Sequence, residues 1–178
     1  MKESVLYKLT TTALFSALCF VGTYVIMIPM PLGYINVGDS FVMLSGWSMG
    51  VWGAVGAAIG SAMADVLSGY VIYAPATFVI KGLVAITAYL VYRTLSKVFV
   101  RLKGNFLKRF VSAVVAELVM VAGYFLYESI LYGTGAALAS AVGALLQASL
   151  SIVIAMCVVT ALNHINVFRK YLPLLFIK

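Results

Sequence analysis

Residues 34–81 read YINVGDSFVMLSGWSMGVWGAVGAAIGSAMADVLSGYVIYAPATFVIK, and how this stretch divides decides the fold. Its inner part, Val37 to Tyr70, spans 34 residues, about 50 Å as one α-helix at 1.5 Å per residue. A hydrocarbon layer is only about 30 Å thick, so the segment reads as two short helices broken near Trp52-Gly53. Gly46, Gly50, Gly53, Gly56 and Gly60, interleaved with Ala54, Ala58 and Ala62, suit two tightly packed neighbours. Two aspartates, Asp39 and Asp65, and one lysine, Lys81, stand in otherwise almost wholly apolar sequence. Ionised groups in such a setting are costly and call for a partner, a cavity or a function.

Composition places the rest of the chain in the same environment. It is 64% hydrophobic and 10% charged, with a mean hydropathy of +1.11. Soluble domains are nearer half apolar and a quarter charged. The expectation is one all-α polytopic membrane domain over residues 1–178. The net charge of +7 reports basic cytoplasmic loops rather than nucleic-acid binding. Cys19 and Cys157 lie in apolar runs without a CxxC partner and read as small buried hydrophobes. Lys2 and Lys8 ahead of an apolar run resemble a signal peptide, but no A-x-A site follows, so the run reads as the first span.

In chain order, the first helix covers roughly Tyr7 to Ile28 and is stopped by Pro29 and Pro31. Ala13 and Ala17 within it form a small-xxx-small pair that lets another helix approach closely. An uncharged loop, Pro29 to Asn36, follows. After the two short helices, the fourth begins at Pro75 and runs to about Tyr92. Then comes a basic segment, Arg93, Lys97, Arg101, Lys103, Lys108 and Arg109, with no acid among them. The fifth helix covers Phe110 to Tyr132. Gly133-Thr134-Gly135 turns, and the sixth runs from Ala136 to Asn163. With six spans the N-terminus, the basic loop and the tail with Arg169, Lys170 and Lys178 all fall on the cytoplasmic side. Five spans would separate them.

The chemistry gathers toward the outer side. Asp65 and Lys81 flank a short outer turn and stand at similar depth, as a brace between the third and fourth helices or with Lys81 shared between Asp65 and a ligand. Glu117, Tyr124 and Glu128 share one face of the fifth helix. Glu117 falls near mid-membrane, where a lone carboxylate must be paired, protonated or facing water. Gln147 stands at comparable depth in the sixth helix. Tyr34, Tyr70, Tyr73, Tyr124, Tyr127 and Tyr132 collect near the outer side, as an aromatic belt or as a stacking pocket closed by Tyr34 and Asn36. Aromatics, carboxylates and an amide suit a small polar heteroaromatic compound. Catalysis is not expected: His164 is the one histidine and falls at the cytoplasmic end. There is no hydrolase triad, zinc motif or phosphate-binding P-loop. No cofactor or metal is implied.

The first-helix A-L-F-S-A (13–17), then I-N-V-G-D, the Gly/Ala block and Y-A-P-A-T-F-V-I-K-G-L together resemble the S components of energy-coupling factor (ECF) vitamin transporters. The nearest likeness is the riboflavin-type group that includes hydroxymethylpyrimidine and pyridoxine carriers. The resemblance implies a vitamin-binding membrane subunit. It would work with a transmembrane coupling subunit and two cytoplasmic ATPases, which alone use ATP. It also implies that Ala13 and Ala17 contact the coupling subunit. Cargo would be held near the outer face, in the region of Tyr34, Asn36, Lys81, Glu117, Tyr124, Glu128 and Gln147, with Asp39 and Tyr73 beside them. The loaded subunit would topple to deliver it. A ring nitrogen bonded to Glu117 would favour a pyridoxine or hydroxymethylpyrimidine-like ring. Riboflavin and a stand-alone ion-coupled carrier are the alternatives.

Overall fold

The computed structural model describes residues 5–30, 32–98, 105–163 and 175. Six helices follow one another: α1 (Val5–Tyr24), α2 (Gly38–Met49), α3 (Val51–Leu67), α4 (Ala74–Val98), α5 (Phe106–Tyr132) and α6 (Thr134–Asn163). Four of them, α1, α4, α5 and α6, are long and apolar enough to cross a membrane. The other two share what sequence reading divided: α2 has 12 residues and α3 has 17, about 18 and 25 Å of helix.

The break falls at Gly50 rather than at Trp52-Gly53. Gly50 adopts φ +59°, ψ −126°, a conformation open to glycine and strained for other residues. Gly53 has a different task. A methyl group there would lie 2.0 Å from Ser45 O, so its hydrogen lets the first turn of α3 fold back against α2. The Ser45 hydroxyl bonds Gly53 O across the corner (3.1 Å).

Before α2 the chain forms two short strands where a loop was expected. β1 (Met27–Pro29) and β2 (Tyr34–Asn36) pair antiparallel, with Ile28 opposite Ile35. Gly33, at φ +72°, accepts the Met30 N–H in the turn (3.1 Å). The β-branched run Val25-Ile26 and the proline at 29 end α1 at Tyr24 and favour extended backbone instead.

Helix α2 is the centre of the bundle. It contacts α1, α3, α4 and α6, and eleven of its twelve residues are buried. Polar side chains tie it to its neighbours: Ser40 Oγ donates to Ser151 O (3.1 Å) and Trp47 Nε1 to Ser112 Oγ (2.9 Å). Around it, α1 lies on α3, α3 on α4, α4 on α5, and α5 on α6. The α1–α3 crossing is close because Gly56 and Gly60 meet the Thr12 and Ser16 carbonyls. Large apolar side chains point outward, among them Val51, Met63, Leu118, Ile130, Leu138 and Val153. Such an apolar girdle needs lipid as its solvent.

Two further expectations shift. Cys19 is buried as expected, but Cys157 is exposed on the outer surface of α6. Helix α5 starts four residues earlier than Phe110, so Lys108 and Arg109 lie within its first turn and are buried. Arg109 and the Tyr92 hydroxyl both donate to Leu175 O, which ties the two helices to the chain's last described residue. Lys2, Arg101, Lys103, His164, Arg169, Lys170 and Lys178 lie outside the described residues.

The α1–α3 crossing makes a contrast between two glycines testable. A methyl group on Gly60 would sit 2.1 Å from Ser16 O, whereas one on Gly135 meets nothing within 4 Å. Gly60→Ala is expected to cost about 1–3 kcal/mol by overpacking. Gly135→Ala is expected to be neutral or stabilising by up to about 1 kcal/mol through helix propensity. Thermal unfolding of the two variants in detergent checks the opposite signs.

Candidate functional site

The C-terminal ends of α3 and α5 and the N-terminal ends of α4 and α6 meet the β1–β2 hairpin around an open-mouthed cavity. Its wall is built from the hairpin (Tyr34, Ile35, Asn36), α3 (Asp65), the α3–α4 turn (Tyr73), α4 (Thr77), α5 (Met120, Tyr124, Glu128) and α6 (Ser140, Gly143, Gln147).

Helical spacing accounts for each contribution. Thr77, Lys81, Val84, Ala88 and Tyr92 make the buried stripe of α4, at intervals of three and four residues. Glu117, Met120 and Glu128 make that of α5, so the expected shared face is present and points inward. On α6, Gly143 leaves room for the Met30 side chain of the hairpin, which a methyl group would meet at 2.7 Å.

The hairpin is fastened at both ends. Tyr34 donates its hydroxyl to Asp65 Oδ1 on α3. The Asn36 N–H donates to Gln147 Oε1 on α6 (3.0 Å), while Asn36 Oδ1 accepts from Gly38 N–H (2.8 Å). Burial, and next the Asp65 carboxylate, push the Tyr34 hydroxyl well above its ordinary pKa, so it remains a donor. Tyr73 is held up in the same sense by burial and then by Glu128, to which it donates at 3.3 Å. The tyrosines form a chain of rings: Tyr34 to Tyr70 at 4.8 Å, Tyr70 to Tyr73 at 6.3 Å and Tyr73 to Tyr127 at 5.8 Å between centroids. Tyr132, by contrast, is 44% exposed and suits a belt position.

Beneath the cavity lies a layer of buried charge. Lys81 Nζ bonds Asp39 Oδ1 at 2.5 Å, with both side chains at most 2% exposed. The sequence pointed to Asp65 as the partner of Lys81; the structure gives that place to Asp39. Asp39 stands in the first turn of the central α2 and meets α4 from inside the bundle, while Asp65 is taken by the hairpin. The second Asp39 oxygen accepts from Gln147 Nε2 (2.6 Å). The Lys81 ammonium also sits 5.2 Å from the Tyr124 ring centroid, a cation–π distance. The Tyr124 hydroxyl pairs with Thr77 Oγ1 (2.9 Å).

Of the nine residues expected around the cargo, Tyr34, Asn36, Tyr73, Tyr124, Glu128 and Gln147 line the cavity. Asp39, Lys81 and Glu117 form the layer below it instead. Glu117 is one turn below Met120, 2% exposed, and neither carboxylate oxygen has a hydrogen-bond partner among the described residues. Asp65, Thr77 and Ser140 complete the wall and were not chosen as cargo contacts from sequence. The period-four spacing of Thr77 to Lys81 was the signal for Thr77. For Ser140 the signal was its seven-residue spacing from Gln147, which puts both on one face of α6. Ala13 and Ala17 face outward from α1, opposite the Phe15–Cys19 stripe that packs inside.

Six helices around a buried polar centre, with a mouth at one end, define a membrane protein that binds a small molecule. The chain belongs to the family of S components of ECF-type riboflavin transporters, whose model matches residues 4–164. It is therefore a multi-pass integral membrane protein and a transporter subunit rather than an enzyme. An uncharacterised protein from Pyrococcus woesei is 35% identical over 137 residues, 75% of this chain and 86% of that protein. A solved structure described as the S component of a bacterial ECF transporter has the same fold. Its TM-score is 0.67 at 20% identity, over 92% of this chain and 99% of that one.

The ion pair can be weighed by a double-mutant cycle. Lys81→Met leaves Asp39 buried without its cation and is expected to cost about 3–5 kcal/mol. Adding Asp39→Asn is expected to recover at least about 1 kcal/mol of that loss. Equilibrium unfolding of wild type, both single variants and the double variant in detergent measures the coupling.

Proposed function

We propose that this subunit captures a water-soluble vitamin or precursor of pyridoxine or hydroxymethylpyrimidine type at the outer face and delivers it inward. The observation that carries this reading is the crowding of polar groups around one compact cavity. Gln147, Asn36, Thr77, Tyr124, Asp65 and Glu128 all belong to its wall or rim. A single small ring bearing several donors and acceptors can satisfy such a set; an extended apolar body cannot. Tyr34, Asn36, Tyr73, Tyr124, Glu128 and Gln147 contact the cargo. Asp39 and Lys81 hold Gln147 and Tyr124 from below, and Glu117 lies in the same layer.

In this reading all six helices cross the membrane and both termini face the cytoplasm. Uptake is driven by a coupling subunit and two ATPases on separate chains, and the loaded subunit topples when docked. Ala13 and Ala17 supply the docking face, a reading supported by their outward position on α1. Riboflavin is the second reading, favoured by the description of the family whose model matches residues 4–164.

Two measurements test these statements. Titration of purified protein with pyridoxine, hydroxymethylpyrimidine and riboflavin is expected to show at least about tenfold preference, some 1.4 kcal/mol, for one of the two single rings. Preference for riboflavin sinks the single-ring assignment and leaves the transporter role intact. Ala13→Leu and Ala17→Leu are expected to abolish co-purification with the coupling subunit while leaving ligand titrations unchanged. Unaltered co-purification would move the docking face elsewhere.

A further inference from the structure

Charge is distributed so that the outer end of the protein carries acids and almost no bases. Between residues 9 and 92 Lys81 is the sole lysine or arginine, and between 110 and 168 there is none. Over the same stretches stand Asp39, Asp65, Glu117 and Glu128. Lys81 is consumed internally by Asp39 at 2.5 Å and does not belong to the cavity wall. Two carboxylates do: Asp65 on α3 and Glu128 on α5.

Among the described residues neither of these two forms a salt bridge, and Lys81 acts on Asp65 only at longer range. Asp65 is 3% exposed and receives the Tyr34 hydroxyl on Oδ1. Its Oδ2 is buried and has no hydrogen-bond partner among the described residues. The neighbouring Thr77 hydroxyl is engaged with Tyr124 at 2.9 Å. Glu128 is 4% exposed and accepts the Tyr73 hydroxyl at 3.3 Å. Tyr34, Tyr70, Tyr73 and Tyr127 turn ring faces and edges around the same mouth. Buried carboxylates without a counter-charge cost several kcal/mol each, and the combination of carboxylates with aromatic rings is what organic cations seek.

We infer that the cargo of this site is an organic cation, a small ring bearing a protonated amine or ring nitrogen, with Asp65 and Glu128 as its specificity-determining counter-ions. This rests on the reading of the cavity as the cargo site and narrows it by charge. The acidic mouth also draws cations in and turns anions away, since no described basic side chain lines it.

Three probes with one ring separate charge from shape: pyridoxamine, pyridoxine and 4-pyridoxic acid carry an ammonium, an alcohol and a carboxylate on the same pyridine. Equilibrium titration at neutral pH and low salt is expected to rank them in that order. Each step should be about tenfold, the size of one charge-assisted contact. Asp65→Asn and Glu128→Gln, each nearly isosteric, are expected to shrink the ammonium-over-alcohol ratio by about fivefold or more. Because the readout is a ratio within one variant, a general loss of active protein cancels, and either variant alone suffices. A flat or reversed order, silence of the ammonium probe included, overturns the inference. So does an unchanged ratio in both variants. Co-purification with the coupling subunit is independent of cavity charge, so the transporter reading stands or falls separately.

Discussion

The structure depends on one buried contact, the Lys81–Asp39 pair at the heart of the bundle. Its partners sit on α4 and on α2, the shortest helix and the one enclosed by four others. A helix of 12 residues gains little from its own hydrogen bonds. Tertiary contact must hold it, and a desolvated ion pair does so with directional strength that apolar packing lacks. The cost of burying both charges is offset only because the geometry is short and the remaining oxygen of Asp39 is satisfied by Gln147.

From that pair a chain of hydrogen bonds climbs to the surface. Asp39 holds the Gln147 amide, and Gln147 holds the Asn36 backbone in the hairpin. A second tie from Tyr34 to Asp65 pins the other side of the hairpin. The loop over the cavity mouth is thus registered against the deepest layer of the protein, so the floor and the lid share one polar network. Side chains in that network have defined positions before any cargo arrives, which lowers the ordering cost of binding.

Small residues do the complementary work. Gly46, Gly53, Gly56 and Gly60 bring backbone against backbone where a methyl group would clash. That closeness leaves little room where these helices cross, and the cavity described above lies beneath the hairpin.

Much of this was legible in the chain. Apolar runs of known length, the excess of glycine and alanine, and the basic segment after residue 92 determine a helical membrane protein, because the bilayer admits few other solutions. The period of 3.6 also put Glu117, Tyr124 and Glu128 on one inward face. What the chain alone left undecided were matters of contact between distant segments. Asp39 and Asp65 are equally acidic and equally buried by composition. Which of them meets Lys81 depends on α2 entering the middle of the bundle. The hairpin lay hidden because three-residue strands carry almost no periodic signal. Gly50 and Gly53 look alike as letters; φ distinguishes the hinge from the packing contact. Residue types and spacing determined that costly polar groups would gather toward one end of a membrane bundle. Only the tertiary structure decided which of them pair with each other and which remain for a ligand, because that choice is made across helices rather than along them.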